Sequence, residues 1–198
     1  DYFITVYGDP DSTEFREAQR NFTESLAAYS VVCYFLQIKD RHNGNIMIDR
    51  EGHVIHIDFG FFLGSSPGNI NFENVPFKMT RAFAEVVGGT KKNPDQSNMY
   101  TCFRTLVGSC FDIAVENKER ILNLVRSMLP TAYTYPCFKH VYDRNDIIRK
   151  LEERFQSHLN EGEKEAFISK LIDDSYCAQR TNTYDLFQYH TNGLLYES

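Results

Sequence analysis

The sequence contains no apolar run near the roughly 20 residues that a membrane-crossing helix requires. Its first residues also lack the charged-then-apolar form of a signal peptide. A soluble lobe, at most peripheral to membranes, is therefore expected. There is no basic excess: 21 Lys and Arg stand against 27 Asp and Glu, a formal charge of −6, and this argues against nucleic acid as the main partner. Any attraction to a membrane must be local. The five cysteines, Cys33, Cys102, Cys110, Cys137 and Cys177, are odd in number and show no Cys-x-x-Cys spacing. That pattern disfavours zinc and suits reduced thiols in the cytosol. Internal repeats, low-complexity tracts and a second domain are also missing.

What is present suffices for one domain: 198 residues, 42% of them hydrophobic, with 16 Phe and 12 Tyr to fill a core. The turn Gly8-Asp9-Pro10-Asp11-Ser12 leads into a long helix with Asp11 or Ser12 as N-cap. Phe15, Ala18, Phe22, Leu26, Tyr29, Cys33 and Leu36 then recur at helical steps as one apolar stripe. Ile46-Met47-Ile48 and Val54-Ile55-His56-Ile57 are β-prone runs joined by Asp49-Arg50-Glu51-Gly52, which reads as a hairpin. Residues 61–76 are rich in Gly, Pro, Ser and Asn and read as a surface loop. Thr80 caps a helix from Arg81 to Val87 that Gly88-Gly89 ends, and Thr90 to Asp95 is a polar link. Helical patterns follow over residues 97–115, 117–129, 144–155, 161–177 and 181–192. The expected class is α+β, mainly helical, with one small hairpin.

Two segments carry chemistry: Asp40-Arg41-His42-Asn43-Gly44-Asn45 and His56-Ile57-Asp58-Phe59-Gly60. Phosphoryl transfer needs a base near the attacking hydroxyl and oxygen ligands that hold Mg²⁺ on the phosphates of ATP. Asp40, Asn45 and Asp58 supply base, first ligand and second ligand in the order of a kinase catalytic lobe. His42 is a second candidate base, with an unperturbed pKa near 6.5. The residues alone do not choose between it and Asp40. Arg41 is expected to hold the loop through a carboxylate, because guanidinium forks make two-point contacts. Asn45 and Asp58 pair a neutral oxygen with a charged one, which favours Mg²⁺ and admits Mn²⁺. The bland alternative is a polar turn after a helix, and it weakens as Asn45 and Asp58 are added at the right separations. Met47 and Ile57 have apolar side chains suited to face adenine or, equally, to pack in the core. His53 and His56 lack companion ligands, and His56 reads as a satisfied polar residue behind the metal site. Phe59 is expected to pack and orient Asp58. Nothing before Asp40 supplies the nucleotide-covering loop, phosphate-binding Lys and partner Glu that a kinase also needs. The chain is thus expected to be a C-terminal catalytic lobe, inactive alone, with the N-terminal lobe outside it.

Lys39-Asp40-Arg41-His42-Asn43-Gly44-Asn45 with His56-Ile57-Asp58-Phe59-Gly60 resembles the phosphatidylinositol 3- and 4-kinase family. Protein kinases place His and Arg before the Asp, whereas here Asp-Arg-His runs the other way. Ala18-Gln19-Arg20-Asn21-Phe22, Ser65-Ser66-Pro67, Phe72-Glu73, Phe77-Lys78-Met79-Thr80, Gly88-Gly89 and a tail of Tyr184-Asp185, Phe187-Gln188-Tyr189 and Thr191-Asn192-Gly193 are similar to the type III beta 4-kinase branch. The resemblance covers nearly the whole chain. It implies a protein-kinase-like lobe with catalytic loop 39–45, metal motif 58–60, activation loop 61–76 and a last helix over about 181–192. The implied activity moves the ATP γ-phosphate to the 4-hydroxyl of phosphatidylinositol. Phe61, Ser65, Ser66, Asn69, Asn71 and Lys78 are implied as activation-loop or substrate residues.

No Lys or Arg occurs from Phe59 to Phe77. Ring phosphates carry about −1.5 to −2 charges each near pH 7 and need cations, so an unphosphorylated headgroup fits better. Gly68 stands where some beta enzymes carry a basic residue, so no phosphate contact is assigned there. Tail aromatics and leucines, including Tyr184, Leu186, Phe187, Tyr189, Leu194, Leu195 and Tyr196, suit a lipid interface or burial against the lobe. Phe187 and Leu194 are the membrane contacts implied. The resemblance further implies the N-terminal lobe and helical region of the same protein as partners, small-GTPase or adaptor partners, and a peripheral place on cytoplasmic membranes at the Golgi. Three alternatives remain: a 3-kinase, a lipid-kinase-like protein Ser/Thr kinase, and a non-catalytic docking module.

Overall fold

The computed structural model describes residues 2–65, 75–88, 98–134, 138, 144–176 and 178–194. Its organising element is α2, Thr13–Leu36, preceded by a short α1, Tyr2–Tyr7. Ser12 caps α2 as expected, its hydroxyl accepting from the Phe15 amide at 3.2 Å. The apolar stripe faces inward, burying Ala18, Phe22, Leu26 and Cys33. No sequence signal had marked α1. It is held by Phe3, whose ring lies 5.4 Å from Phe22 in an edge-to-face pair that the ring quadrupoles favour.

Helices α3 (Arg81–Val86), α4 (Asn98–Glu116), α5 (Lys118–Met128), α6 (Arg144–Arg154), α7 (Glu161–Ser175) and α8 (Gln179–Asn192) complete the lobe. A 3₁₀ turn at Leu129–Thr134 follows α5. The boundaries fall close to the expected ones, because each helix start or periodic face was visible. Thr80 caps α3 through the Phe83 amide at 3.2 Å, and Asn160 and Glu163 form a reciprocal capping box on α7. The link at Thr90 to Asp95 lies outside the described residues.

The core is aromatic. Phe35 sits 5.2 Å from Phe111 and 4.6 Å from Phe155, so α2, α4 and the end of α6 meet there. Phe22, Phe103, Phe111, Phe155, Leu122 and Leu151 are essentially sealed from water. Each such side chain contributes about 1.5–3 kcal/mol of transfer free energy. Arg154 closes one edge by stacking 4.2 Å over Tyr34 and donating to the Tyr34 carbonyl, while Tyr34 Oη donates to the Arg154 carbonyl at 2.8 Å.

The strands β1 (Ile46–Ile48) and β2 (Val54–His56) form an antiparallel hairpin in the register Ile46 to His56, Met47 to Ile55 and Ile48 to Val54. A two-stranded ribbon is marginal by itself, and here α2 supports it. The Ser25 hydroxyl accepts from the Val54 amide at 2.9 Å, and Asn21 Nδ2 donates to the Glu51 carbonyl at 2.8 Å. Tyr7 Oη adds a bond to the Asp49 carbonyl at 3.0 Å. Gly52, at φ +93°, presses against α2 so closely that a Cβ would stand 2.7 Å from the Ala18 carbonyl oxygen. Only glycine meets both demands. Among the described residues no helix is long and apolar enough to cross a membrane.

Candidate active site

Helix α2 stops at Gln37, which turns left-handed at φ 50° and bonds its amide to the Cys33 carbonyl. The chain then enters the catalytic loop, and the segment after Asp58 returns alongside. Lys39 N donates to the Phe61 carbonyl at 2.9 Å, and Leu63 N to the Leu36 carbonyl at 2.7 Å. The hairpin thus spaces two chemical segments that lie side by side. Both acidic residues sit at positive φ, 65° for Asp40 and 55° for Asp58. Asp tolerates this region better than most residues, yet such backbone persists only where its surroundings hold it.

Arg41 is one of those restraints. Its side chain is buried, donating from Nε to the Lys39 carbonyl at 3.0 Å, from Nη1 to the Ile57 carbonyl at 2.7 Å and from Nη2 to the Asp58 carbonyl. The expected carboxylate partner is therefore corrected to three backbone carbonyls. A planar fork with five donors spans two chain segments where carbonyls converge. Arg41 locks the loop that follows α2 to the segment at Ile57 and Asp58. Phe59 lies over it, with the guanidinium carbon 5.5 Å from the ring centroid, so this ring stacks on Arg41 beside Asp58.

Asn45 opens β1 from a 3₁₀ turn at Asn43–Asn45. Its Nδ2 donates to the Asp40 carbonyl at 2.9 Å, so Oδ1 is the atom that could serve as a ligand. Asp58 Oδ1 accepts only the Gly60 amide at 3.2 Å among its bonds to described residues. Two oxygens of this kind fit Mg²⁺, which keeps waters and substrate oxygens in its shell. No cluster of three His, Cys, Asp or Glu able to hold a metal occurs among the described residues.

Asp40 and His42 are about equally accessible, with His42 Nε2 3.8 Å from Asp40 Oδ1. Burial lowers the His42 pKa, partly opposed by the Asp40 charge and reinforced by Lys78, which favours the neutral ring. Its Nδ1 is buried without a partner among the described residues. Such an atom costs about 1–3 kcal/mol unless something satisfies it, which fits a site that a ligand completes. His56, one strand away, stacks 4.3 Å from Tyr29 and meets Cys33 Sγ at 3.6 Å. Burial pushes its pKa down to about 4. It is a neutral support behind Asp58, as its sequence position suggested.

Met47 and Ile57 are 53% and 39% exposed, open on the hairpin's outer side rather than packed in the core. Phe61 pairs through its carbonyl with Lys39 beside the site, and Ser65 Oγ, farther along the chain, accepts from the Phe62 amide at 3.1 Å. Ser66, Asn69 and Asn71 lie outside the described residues. Lys78, expected among the substrate residues, is buried instead. Its ammonium bonds Asp185 Oδ2 and Oδ1 at 2.7 and 2.8 Å and Asn43 Oδ1 at 2.7 Å. A Lys with three converging acceptors inside the lobe is a structural tie.

Helix α8 also departs from the sequence reading. Tyr184, grouped with the lipid-interface aromatics, donates its hydroxyl to Asp40 Oδ1. Leu194 is half-buried, and a Cβ on Gly44 would stand 3.0 Å from its Cδ2. It packs against the loop at Gly44. Phe187 is 57% exposed, with Leu186 and Tyr189 exposed beside it.

Asp40 and His42 beside Asn45 and Asp58, carried on a loop, hairpin and loop, match the expected layout of a kinase-like lobe. The family model for phosphatidylinositol 3- and 4-kinase matches residues 1–135. Phosphatidylinositol 4-kinase PIK1alpha of Candida albicans is 45% identical over 195 residues, 98% of this chain and 19% of the relative. Phosphatidylinositol 4-kinase beta of Danio rerio is 40% identical over 195 residues, 98% of this chain and 22% of the relative. Phosphatidylinositol 4-kinase stt4 of Schizosaccharomyces pombe is 44% identical over 196 residues, 99% of this chain and 10% of the relative. The chain belongs to the phosphatidylinositol 3- and 4-kinase family. It spans from about a tenth to about a fifth of the length of these curated relatives.

Proposed function

We propose that these residues form the C-terminal lobe of a phosphatidylinositol 4-kinase of the beta branch, which moves the γ-phosphate of ATP to the 4-hydroxyl of phosphatidylinositol. The observation that carries this reading is the juxtaposition of Asp40, His42, Asn45 and Asp58 across one Arg41-locked pair of segments. Asp40 and neutral His42 stand where the attacking hydroxyl loses its proton. Asn45 Oδ1 and the Asp58 carboxylate would hold Mg²⁺, or Mn²⁺ in its place. The ion, when bound, neutralises charge developing on the transferred group. Met47 and Ile57 offer apolar surface to adenine, beneath an opposing lobe that supplies the phosphate-binding Lys. Phe61, Ser65 and the loop beyond them receive the headgroup, and the lack of Lys and Arg from Phe59 to Phe77 suits a ring without phosphates. By likeness to the family the enzyme works peripherally on Golgi membranes, together with its own helical region and small-GTPase or adaptor partners.

Full-length enzyme given radiolabelled ATP and phosphatidylinositol vesicles is expected to yield the 4-phosphate, identified chromatographically. A 3-phosphate product overturns the branch, and labelling of a peptide in place of lipid overturns the substrate class.

The exposed apolar side of α8 is the proposed membrane contact. Phe187→Ala removes a ring that is already outside the core, so it should lower vesicle binding and lipid turnover by about tenfold, in line with about 1.5 kcal/mol of apolar transfer. The melting temperature should not move. Unchanged vesicle binding would count against this surface.

A further inference from the structure

Helix α8 turns polar side chains toward the lobe, while its exposed side mixes apolar residues with Thr183, His190, Thr191 and Asn192. Inward stand Tyr184, Asp185 and Gln188, and outward Leu186, Phe187 and Tyr189. A helix buried through its polar face must gain something specific there, since polar burial without hydrogen bonds is costly. Each inward group has its partner. Gln188 Nε2 donates to Tyr184 Oη at 2.9 Å, Tyr184 Oη donates to Asp40 Oδ1, and Asp185 takes the Lys78 ammonium. Gln188 Oε1 in turn accepts from Asn192 Nδ2.

We propose that Tyr184, 144 residues from Asp40 in sequence, is a positioning residue for the phosphotransfer reaction: its hydroxyl fixes the Asp40 carboxylate in the orientation from which Oδ2 or Oδ1 meets the acceptor hydroxyl. The need for such a restraint is visible in the backbone. Asp40 sits at φ 65° on a loop, and two side-chain torsions set the orientation of its carboxylate. Asn45 Nδ2 holds only its carbonyl. Tyr184 grips the side chain itself, and the donor from Gln188 fixes which way the tyrosine hydroxyl proton points. The Lys78 pair to Asp185 and Asn43 anchors α8 next to the same loop, so the tyrosine is presented from a fixed support. A misplacement of about 1 Å in a reacting group can cost on the order of a hundredfold in rate.

The proposal rests on the lipid-kinase reading for the identity of the acceptor and for Asp40 as a group that meets its hydroxyl. Its test uses four full-length enzymes: wild type, Tyr184→Phe, Asp40→Asn and the double variant, assayed on phosphatidylinositol vesicles with radiolabelled ATP. Tyr184→Phe keeps the ring, whose centroid is 6.2 Å from that of His42, and deletes one oxygen. The expected result is a fall in kcat of about tenfold or more, with KM for ATP within about twofold and an unchanged melting temperature. In the Asp40→Asn background the same replacement should cause no further loss, because residues that act as one unit are not additive. An unchanged kcat overturns the proposal, as does an equal loss in both backgrounds, which would mark a general structural role. If the wild type leaves phosphatidylinositol untouched but hydrolyses ATP, the lipid reading alone fails. The four enzymes are then compared on hydrolysis, where water gives its proton to the same base.

Discussion

Asp58→Ala in the full-length enzyme is expected to lower turnover of phosphatidylinositol by about a thousandfold or more, because the lost ligand supplies several kcal/mol of charge stabilisation on the phosphates. The alanine also meets a second difficulty. Asp58 lies at φ 55° and its Oδ1 accepts the Gly60 amide, so alanine adds strain on the order of 1 kcal/mol. Asp58→Asn separates the two effects. Asparagine tolerates the left-handed region and can keep the turn bond, while its neutral oxygen is a weaker ligand. If the role is metal binding, both variants lose activity and only the alanine form loses thermal stability. Retention of even a tenth of the activity by Asp58→Ala would remove Asp58 from the metal site.

The elements that position this aspartate were legible in the sequence for local reasons. Ser12 and Thr80 announced helix starts because a side-chain oxygen three residues before an amide is a local signal. The stripe from Phe15 to Leu36 announced α2 because its period is helical. The hairpin was legible from two β-prone runs around Gly52. Its support on α2 was not, since the contact of Gly52 with Ala18 joins distant parts of the chain. Helix α1 was missed because six residues are too few to show a period.

In the candidate site, Asp40, Asn45 and Asp58 stood out because they share one short stretch at a recognisable spacing. Arg41 was given the wrong kind of partner, because backbone carbonyls leave no trace in residue identity. Lys78 was placed on the substrate loop because sequence distance hides Asp185, 107 residues away. Tyr184 was read by its aromatic ring, and the structure uses its hydroxyl. The last two share a cause: polar side chains that pair over long range have no periodicity, so their partners emerge only when the fold brings them together.

The pair of Lys78 and Asp185 provides the second large effect. Their side chains are 1% and 6% exposed, so neither charge is left to water. Lys78→Met removes the cation and leaves a buried carboxylate, a change that typically costs about 3–5 kcal/mol. The loss falls on α8, because Asp185 belongs to that helix while Lys78 and Asn43 belong to the body of the lobe. Amide exchange of α8 in the full-length enzyme should therefore quicken by more than about a hundredfold, the equivalent of about 3 kcal/mol of local opening. Replacing both partners at once, Lys78→Met with Asp185→Leu, exchanges a buried ion pair for apolar contact and should restore most of the protection. Exchange that stays at the wild-type rate in Lys78→Met would show that the pair does not hold the helix. With protection restored but Asn43 still lacking the Lys78 bond, kcat distinguishes what α8 needs from what the catalytic loop needs. Recovery of turnover in the double variant means that a docked α8, presenting Tyr184 to Asp40, is sufficient. Persistent loss means that the ammonium also orders the loop directly through Asn43.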